Sequence, residues 1–463
     1  MILNSFDFGL SALNVALVSC ESPEQLAKLQ RQRFKSLITH AFNTCPFYRA
    51  LYQNIDISKS KLSDIPIVNK QVLMSHFDSW VGDPEIRIRS LHRFIKNKSN
   101  ISELYLGKYV VWESSGSSGK PGIFLQDLQA MAIYEALESI RIPIDEIIQH
   151  ALNPFWLCER VAFVGAINGH FASNVSFERM KAVSPVSSNM FKSFSILDSV
   201  DTIADALNSF LPSYLVTYPT AALALAEKIL KGSLKIHPLE IWTGGEVLTK
   251  SMRSIIEKAF GAKVRNSYGA SEFLPIAREC KFGNLHVNSD WVILEAVDDK
   301  YRPVPRGQFS CTTLLTNLAN KVQPLIRYDI GDSIRFHATE CQCGSSFPAI
   351  DVIGRKDGII QILNDQGDLI KILPLALTTV MEEEAGIFDF QIVQKNASTL
   401  ILRLPHQNNR AQRDMAHGEL ILKKYLRKQG ASKVRLITES ISHIIPSLSG
   451  KCNRIIAGKN SQN

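Results

Sequence analysis

The chain lacks any unbroken run of 18 or more apolar residues, so the sequence predicts no membrane span. It also lacks the features of a secretory signal. Residues 1–19 contain no Lys or Arg, include Asp7, and place Asn14 inside the apolar stretch. We therefore expect no signal peptide, although Leu17-Val18-Ser19-Cys20 looks like a lipoprotein cleavage site.

Cysteine is scarce, with eight irregularly spaced residues among 463, which favours a reducing cytoplasm over a disulfide framework. Low-complexity tracts and internal repeats are also missing. Apolar residues make up 45% of the chain and charged residues 21%, the composition of an ordinary soluble globular protein. A chain of 463 residues indicates about two or three domains.

Positive charge is concentrated at one end of the chain. Residues 401–463 hold twelve Lys/Arg and three Asp/Glu, a balance of +9, whereas the whole chain carries +8. A basic domain can attract phosphate-bearing ligands, an acidic carrier protein or nucleic acid. The alternative is a solvated basic helix face around Lys423–Lys428. No aromatic-interleaved pattern accompanies the charges, so we expect no nucleic-acid partner.

Alternating strand and helix patterns fill the middle of the chain. Predicted strands are Arg160–Gly165, Tyr214–Thr217, Leu239–Trp242 and Lys263–Ser267, and predicted helices are Asp127–Ile140, Ala221–Lys231 and Lys250–Phe260. This rhythm predicts an α/β fold with a mostly parallel sheet flanked by helices. Residues 285–345 instead resemble short antiparallel strands, and a compact α+β segment follows Gly354–Gly358.

A small-residue loop, Ser114–Gly122, follows the strand-like Val110-Val111-Trp112. Small residues let backbone N–H groups approach an anion closely, and hydroxyls and a lysine add further donors. The loop is not a Walker A motif, because Ser114 and Pro121 stand where that motif needs Gly and Ser or Thr. Taken alone, such a loop is equally typical of a flexible linker.

The loop resembles the phosphate-binding loop of the adenylate-forming superfamily, the acyl-CoA synthetases and their relatives. Five more resemblances follow in the family's order: Gly244-Gly245-Glu246, Tyr268-Gly269-Ala270-Ser271-Glu272, Arg327–Asp332, Gly354-Arg355-Lys356-Asp357 and Pro446–Lys451. The phenylacetate-CoA ligase and coenzyme F390 synthetase branch is the most similar, through Pro324–Tyr328 and Cys341-Gln342-Cys343-Gly344.

This resemblance implies a ligase that activates a carboxylic acid, which we expect to be aromatic, with ATP as an acyl-adenylate. The acyl group would then pass to a thiol, most simply that of CoA. Implied ATP-binding residues are Ser114, Ser115, Gly116, Ser117, Ser118, Gly119, Lys120, Gly245, Glu246, Tyr268, Gly269, Ser271, Asp332 and Arg355.

Three of the implied roles have clear physical reasons. Glu272 would hold Mg²⁺, which offsets the repulsion between ATP and the carboxylate. Tyr268 would stack on adenine, and Asp332 would accept hydrogen bonds from the ribose.

The catalytic lysine would come from a separate, mobile domain. Lys451 would stabilise charge in the transition state of adenylation. The resemblance implies a large domain of residues 1–353, a hinge at 354–358 containing Asp357, and a small domain of 359–463 that rotates about it.

The acyl pocket is predicted where the strand ends meet. Its candidate residues are His170, Phe171, Tyr218, Gly244, Ala270 and Phe273. The small residues among them leave room for a ring, although aromatic side chains near a sheet are also typical of a core.

Cys280, His286, Cys341 and Cys343 form a candidate metal site. Three thiolates and one imidazole suit a closed structural zinc site. The alternative is a set of reduced, unliganded cysteines in a turn.

Three further possibilities stay open from the sequence. The acceptor could be a carrier-protein thiol or an amine instead of CoA, and the protein could form a homodimer. A non-catalytic nucleotide-binding module on this fold is the third, and the presence of Glu272, Asp332 and Lys451 argues against it.

Overall fold

The structure is a computed structural model that describes residues 5–114, 121–141, 159–183, 188–353, 359–405, 411–441 and 454–458. Its helices are α1 (Ser5–Val18), α2 (Pro23–Thr44), α3 (Pro46–Leu51), α4 (Lys70–Ser75), α5 (Phe77–Trp80), α6 (Ile88–Lys96), α7 (Leu128–Ile140), α8 (Ala172–Val183), α9 (Val200–Phe210), α10 (Pro219–Leu230), α11 (Lys250–Phe260), α12 (Pro374–Thr379) and α13 (Ala411–Lys428). None of the helices in these ranges combines the length and apolar character needed to cross a membrane.

The strands are β1 (Tyr109–Glu113), β2 (Ile123–Asp127), β3 (Val161–Gly165), β4 (Phe191–Ser195), β5 (Tyr214–Thr217), β6 (Glu240–Thr243), β7 (Lys263–Ala270), β8 (Phe273–Glu279), β9 (Leu285–Val287), β10 (Val292–Val297), β11 (Thr312–Asn317), β12 (Tyr328–Asp329), β13 (Ser333–Phe336), β14 (Ala349–Ile353), β15 (Ile360–Leu363), β16 (Leu369–Ile372), β17 (Gln391–Asn396), β18 (Thr399–Pro405), β19 (Arg435–Ile441) and β20 (Ile455–Ile456).

A nine-stranded sheet organises the larger part of the chain, in the order β13-β14-β9-β8-β7-β6-β5-β3-β4. The strands from β7 to β4 in that order are all parallel to one another. The chain then reverses, and β8, β9, β14 and β13 add to the sheet in antiparallel pairs. The predicted α/β fold, with parallel strands followed by an antiparallel region, is confirmed.

Two smaller sheets flank this one. β1 and β2 form an antiparallel pair on either side of the predicted phosphate loop, and β10, β11 and β12 form a three-stranded sheet. Helices α1 to α7 pack with these strands around one large apolar core that includes Trp80 and Trp112, both fully buried.

Local signals explain why the helices begin where they do. The Ser22 hydroxyl accepts a hydrogen bond from the backbone of Gln25, whose side chain accepts one from the Ser22 backbone. This capping box, with Pro23 in the first turn, starts α2. Asp127 and Thr249 cap α7 and α11 with a single hydrogen bond each, accepted by the side chain from the backbone N–H three residues later.

The chain from residue 359 onward forms an α+β unit of two sheets. β15 pairs with β16, and a four-stranded sheet has the order β19-β18-β17-β20. Its apolar residues share a continuous core with those around β3 to β7. Lys428 Nζ lies 3.1 Å from Asp198 Oδ1, and the Gln429 amide donates to the Leu197 carbonyl at 2.9 Å. The two parts of the chain therefore pack against each other.

Candidate active site

The parallel strands β3, β5, β6 and β7 all end at one edge of the large sheet. Loops at this carboxyl edge are the usual place for ligand sites in α/β proteins. The ends of these strands and the segments after them contain eleven of the predicted site residues: His170, Phe171, Tyr218, Gly244–Glu246 and Tyr268–Glu272. The fold therefore collects motifs that are up to about a hundred residues apart in the chain.

Glu272 lies at the tip of a tight hairpin. Ala270 of β7 pairs with Phe273 of β8, so Ser271 and Glu272 alone reverse the chain. The register shifts at Gly269, where a Cβ atom would lie 2.0 Å from the Leu274 carbonyl oxygen. Only glycine permits this close approach of the two strands. The carboxylate consequently sits at the carboxyl edge of the sheet.

Two buried side chains hold the backbone of this hairpin tip. The Trp112 indole N–H donates to the Ser271 carbonyl at 2.8 Å, and the Asn317 amide donates to the Glu272 carbonyl at 3.0 Å. Trp112 belongs to β1, which leads into the phosphate loop. The strand before the phosphate loop is thus hydrogen-bonded to the residue that precedes Glu272.

The Glu272 carboxylate faces the hydroxyl of Tyr328. Burial raises the pKa of Tyr328, and the charge and hydrogen bonding of Glu272 raise it further. Tyr328 therefore stays a neutral donor to the carboxylate. A carboxylate is a hard oxygen ligand of the kind that Mg²⁺ prefers together with substrate phosphates, so the donor chemistry at Glu272 fits this ion.

Tyr268 and Asp332 meet beside the same hairpin. The Tyr268 hydroxyl donates to Asp332 Oδ2 at 2.8 Å, and the Thr313 hydroxyl donates to the Asp332 carbonyl at 2.7 Å. Burial raises the pKa of Tyr268, and Glu272 adds to this effect. The two residues predicted to contact adenine and ribose thus come together from segments 64 residues apart.

The base of the phosphate loop is closed by backbone pairing. Ser114 N–H donates to the Gly122 carbonyl at 2.8 Å, and Gly122 N–H donates to the Ser114 hydroxyl at 2.9 Å. Other predicted residues lie outside the described part of the chain: Ser115, Gly116, Ser117, Ser118, Gly119, Lys120, Arg355, Asp357 and Lys451.

The loop after β6 packs on the start of α10. Gly245 has a φ of +76°, and a Cβ there would lie 3.0 Å from the Tyr218 ring. Tyr218 precedes α10 without capping it, and the Glu246 carboxylate instead accepts the Thr220 backbone N–H at 3.0 Å. Glu246 therefore stabilises the helix start that orients Tyr218.

The remaining acyl-pocket candidates differ in exposure. Phe171 and Ala270 are half-buried, whereas His170 is buried beside Phe94, with ring centroids 5.8 Å apart. Phe273 is fully buried in the core, 4.9 Å from the Tyr134 ring, so it supports the hairpin from beneath. Gly244 lies against Ser267, whose hydroxyl oxygen is 2.9 Å from a Cβ built on the glycine.

The C-terminal unit touches this edge. The Glu383 carboxylate occupies the space that a Gly169 side chain would need. Burial raises the pKa of Glu383 to about 7, and nearby Lys98 opposes that shift.

A buried ion pair joins Glu382 to Arg454, and the Arg454 carbonyl accepts the Ile392 N–H at 2.7 Å. The chain is thereby anchored three residues after Lys451.

The four residues of the candidate metal site come together. Their ligand atoms all lie within 4.8 Å of one another. Cys280 Sγ and Cys341 Sγ are 3.8 Å apart, which matches the separation of about 3.8 Å expected for two thiolates tetrahedrally bound to zinc. His286 Nδ1 lies 2.7 Å from the Phe347 carbonyl, so this nitrogen carries the proton and Nε2 faces Cys343.

The electrostatics favour a thiolate at Cys341, whereas burial and the neighbouring thiols raise the pKa of Cys343 to about 11. Although burial opposes the change, hydrogen bonds from the Cys343 backbone and the Asn284 amide lower the pKa of Cys341 to about 6. The donor set and the fixed imidazole tautomer therefore fit a zinc ion.

Sequence reasoning missed the residues that support the site. Trp112 was predicted only as part of a strand, although its position two residues before the phosphate loop was a usable signal. Asn317 and Tyr328 contact Glu272 across 45 and 56 positions of sequence. Nothing local indicates such contacts.

Comparison with known proteins gives relatives over most of the chain, although no family model matches. The chain is 24% identical to a phenylacetate-coenzyme A ligase of Thermus thermophilus, covering 81% of this chain and 80% of that protein. It is 24% identical to the protein CapK of Staphylococcus aureus, with coverage of 83% and 79%. A phenylacetate-coenzyme A ligase of Escherichia coli is 26% identical, with 69% of each chain covered.

Solved structures show the same fold. A 2-hydroxyisobutyryl-CoA ligase, in complex with its acyl-AMP and CoA, superposes with a TM-score of 0.59 at 20% identity, covering 95% of this chain and 91% of that one. The same ligase in its postadenylation state superposes with a TM-score of 0.56, with the same identity and coverage. The fold is therefore that of adenylate-forming CoA ligases.

The close approach at Gly269 predicts a sensitive position. We expect Gly269→Ala to lower the free energy of unfolding by about 2 kcal/mol or more, because the Leu274 carbonyl must move to admit the methyl group. Chemical denaturation measures the change. Gly9→Ala is the control, since a Cβ there meets nothing within 4 Å. Equal effects of the two substitutions would contradict the packing at the hairpin.

Proposed function

We propose that this chain activates a carboxylic acid with ATP and transfers the acyl group to the thiol of CoA, because it is similar to phenylacetate-CoA ligases and has the fold of adenylate-forming enzymes. One observation carries the proposal. Tyr268, Glu272 and Asp332 converge at the carboxyl edge of the sheet, beside the strand that leads into the phosphate loop.

In the first step, an oxygen of the substrate carboxylate attacks the α-phosphorus of ATP. The bond from that phosphorus to the bridging oxygen of the β-phosphate breaks, and pyrophosphate leaves with the electron pair. Mg²⁺ held by Glu272 would offset the negative charge of the phosphates. Asp332 binds the ribose hydroxyls, and Tyr268 orients the adenine from the position that its bond to Asp332 sets.

In the second step, the sulfur of CoA attacks the carbonyl carbon of the adenylate. The carbon–sulfur bond forms, the bond from the acyl carbon to the phosphate oxygen breaks, and AMP leaves. The thiol proton passes to solvent. For the substrate we propose an aromatic acid, supported by the half-buried Tyr218 and Phe171 at the carboxyl edge of the sheet and by the names of two relatives.

We further propose two domains, residues 1–353 and 359–463, joined by a hinge at 354–358 that contains Asp357. The anchored strand β20 and the buried Arg454–Glu382 pair support a fixed route for the chain just after Lys451. Such an anchor lets rotation of the small domain carry Lys451 to the α-phosphate and away again. Arg355, at the hinge, would contact ribose or phosphate.

The first test is acid-dependent exchange of labelled pyrophosphate into ATP, screened over aryl, fatty and amino acids. We expect exchange with an aryl acid, and loss of exchange by two orders of magnitude or more in Lys451→Ala, because the transition-state charge loses its cation. The same variant should still form thioester from supplied acyl-adenylate and CoA. Equal loss of both half-reactions would contradict the role of Lys451.

The same screen, run with and without CoA, also tests whether CoA is the acceptor of the acyl group. Exchange without CoA-dependent turnover would favour a carrier-protein thiol or an amine. ATP binding without exchange over the whole panel would favour a non-catalytic nucleotide-binding module. A homodimer is a separate prediction that sedimentation of the pure protein tests.

The nucleotide end of CoA needs a cationic surface. Several of the C-terminal cations are already paired, for instance Arg403 with Glu439 at 2.8 Å and Lys423 with Glu419 at 2.5 Å. Residues 87–98, the basic segment, offer additional cations, because they include five Lys/Arg and no Asp/Glu. All five cations are exposed, and none of them forms a close ion pair with a described residue, although Lys98 lies near enough to the Glu383 carboxylate to lower its pKa.

The basic segment also lies beside the site. Its Phe94 contacts His170, and His170 Nε2 lies 3.4 Å from the Asn97 carbonyl. Like charges at helical spacing repel, so an anionic ligand that neutralises them is favoured. We therefore propose the basic segment as the contact for the CoA phosphates.

This assignment predicts a nucleotide-specific defect. Replacing both Arg89 and Arg93 by Ala should raise KM for CoA by roughly a hundred-fold, since each of two hydrogen bonds to a charged group contributes about 1.5 kcal/mol. KM for pantetheine, which has no nucleotide, should stay the same. The matched control replaces Lys424 and Arg427, two exposed cations of α13. A larger effect in that control would place the CoA phosphates on the C-terminal unit.

We propose that Cys280, His286, Cys341 and Cys343 hold a structural zinc ion. Thiolate ligands need a reducing compartment, which favours the cytoplasm. The bound ion would tie the β8–β9 turn to the segment before β14, and so brace the strands behind the hairpin that carries Glu272.

Metal analysis of the pure protein tests this proposal. We expect about one zinc per chain, and Cys341→Ser should lower both the zinc content and the melting temperature, because a closed zinc site contributes directly to folding. Cys311→Ser is the control, as Cys311 is exposed and outside the cluster. Protein without zinc that melts like its zinc-loaded form would contradict a structural metal.

A further inference from the structure

A chain of buried polar side chains runs beneath the candidate active site. Asn317 ends β11, and Asn320 and Gln323 follow it in the loop before β12. Together with Gln126 and Tyr134, these residues are at most 1% exposed. Buried amides and phenols are stabilised by hydrogen bonds: the Gln126 amide oxygen accepts from Tyr134 and Asn320, whereas the Gln126 amide nitrogen has no partner among the described residues.

One end of this polar chain holds the strand that leaves the phosphate loop. Gln323 donates to the Ile123 carbonyl at 3.0 Å and accepts the Leu125 N–H at 2.8 Å. Asn320 donates to the Leu125 carbonyl at 2.7 Å. The side chains of the loop between β11 and β12 thus make the hydrogen bonds to the β2 backbone that a neighbouring strand would otherwise make.

The other end holds Glu272. The Asn317 amide nitrogen donates to the Glu272 carbonyl at 3.0 Å and to the Tyr134 hydroxyl at 2.7 Å. Its amide oxygen accepts the backbone N–H groups of Ala319 and Asn320, at 3.0 and 3.2 Å. Because those two donors fix the oxygen, the amide nitrogen has to face Glu272.

The hydrogen bond from Asn317 to the Glu272 carbonyl lies at the tip of the hairpin, where the direction of the Glu272 side chain is set. Only two residues reverse the chain, so a small rotation of the peptide after Glu272 swings its carboxylate. A misplacement of about 1 Å can cost roughly a hundred-fold in rate. We propose that Asn317 is a positioning residue for the Mg²⁺-binding carboxylate of Glu272. This inference rests on the proposed function.

The rival interpretation is that the polar chain only stabilises the core. Two isosteric substitutions separate the possibilities. Asn317→Asp keeps the acceptor for Ala319 and Asn320 but places an oxygen against the Glu272 carbonyl. Asn320→Asp makes the same chemical change in the same buried chain, but places the oxygen against Leu125 instead.

The experiment measures the Mg²⁺ concentration that gives half-maximal pyrophosphate exchange, the affinity for ATP with Mg²⁺ in the absence of acid, and the melting temperature. We expect Asn317→Asp to raise the half-maximal Mg²⁺ concentration and to weaken Mg²⁺-dependent ATP binding by about ten-fold each. Asn320→Asp should lower the melting temperature comparably and leave both Mg²⁺ readouts within about two-fold.

Tyr134→Phe supplies a milder variant if the first does not fold. It removes the hydroxyl that Asn317 contacts and keeps the ring against Phe273. We expect a smaller shift in the same direction. Equal Mg²⁺ shifts in the Asn317 and Asn320 variants, or no shift in the Asn317 and Tyr134 variants, would overturn the inference. Absence of exchange in the unaltered protein overturns the proposed function alone, because ATP binding still reports on Asn317.

Discussion

The reversal of the chain at Ser271 and Glu272 is the constraint on which the candidate site depends. The last parallel strand reaches the carboxyl edge of the sheet and must turn back at once to pair with β8. Two residues make that turn, and Gly269 allows the strands to approach. Because the turn is so short, the Glu272 carboxylate and the Tyr268 ring are both delivered to the edge, where Tyr268 meets Asp332.

Rigid support surrounds this turn on the large part of the chain. Trp112 comes from the strand before the phosphate loop, and Asn317 from the strand before the Arg327–Asp332 motif. Buried hydrogen bonds therefore connect the Ser271–Glu272 turn to the strands that precede the phosphate loop and the Arg327–Asp332 motif. Such bonds are costly to break. The C-terminal unit approaches the same edge through Glu383 and is stabilised internally by the buried Arg454–Glu382 pair, which persists because both charges are satisfied.

Prediction from sequence succeeded where the signal is local. The strand Tyr214–Thr217 and the helix Lys250–Phe260 have the predicted bounds, because an apolar run and a Thr249 cap mark them. β4 was not predicted, since this edge strand has a single neighbour and only Phe194 buried among its residues. The domain boundary and the role of Lys451 remain predictions, as residues 354–358 and 451 lie outside the described part of the chain.

The amino-acid sequence by itself determined the order of the motifs, the α/β rhythm and the identity of Tyr268, Glu272 and Asp332, because residue type and spacing carry that information. It also indicated the cysteine and histidine set. Only the tertiary structure decided that Phe273 supports the hairpin from the core, that Glu246 caps α10, and that Asn317 holds Glu272. Those contacts join distant segments, and their geometry follows from how the sheets pack instead of from any local pattern.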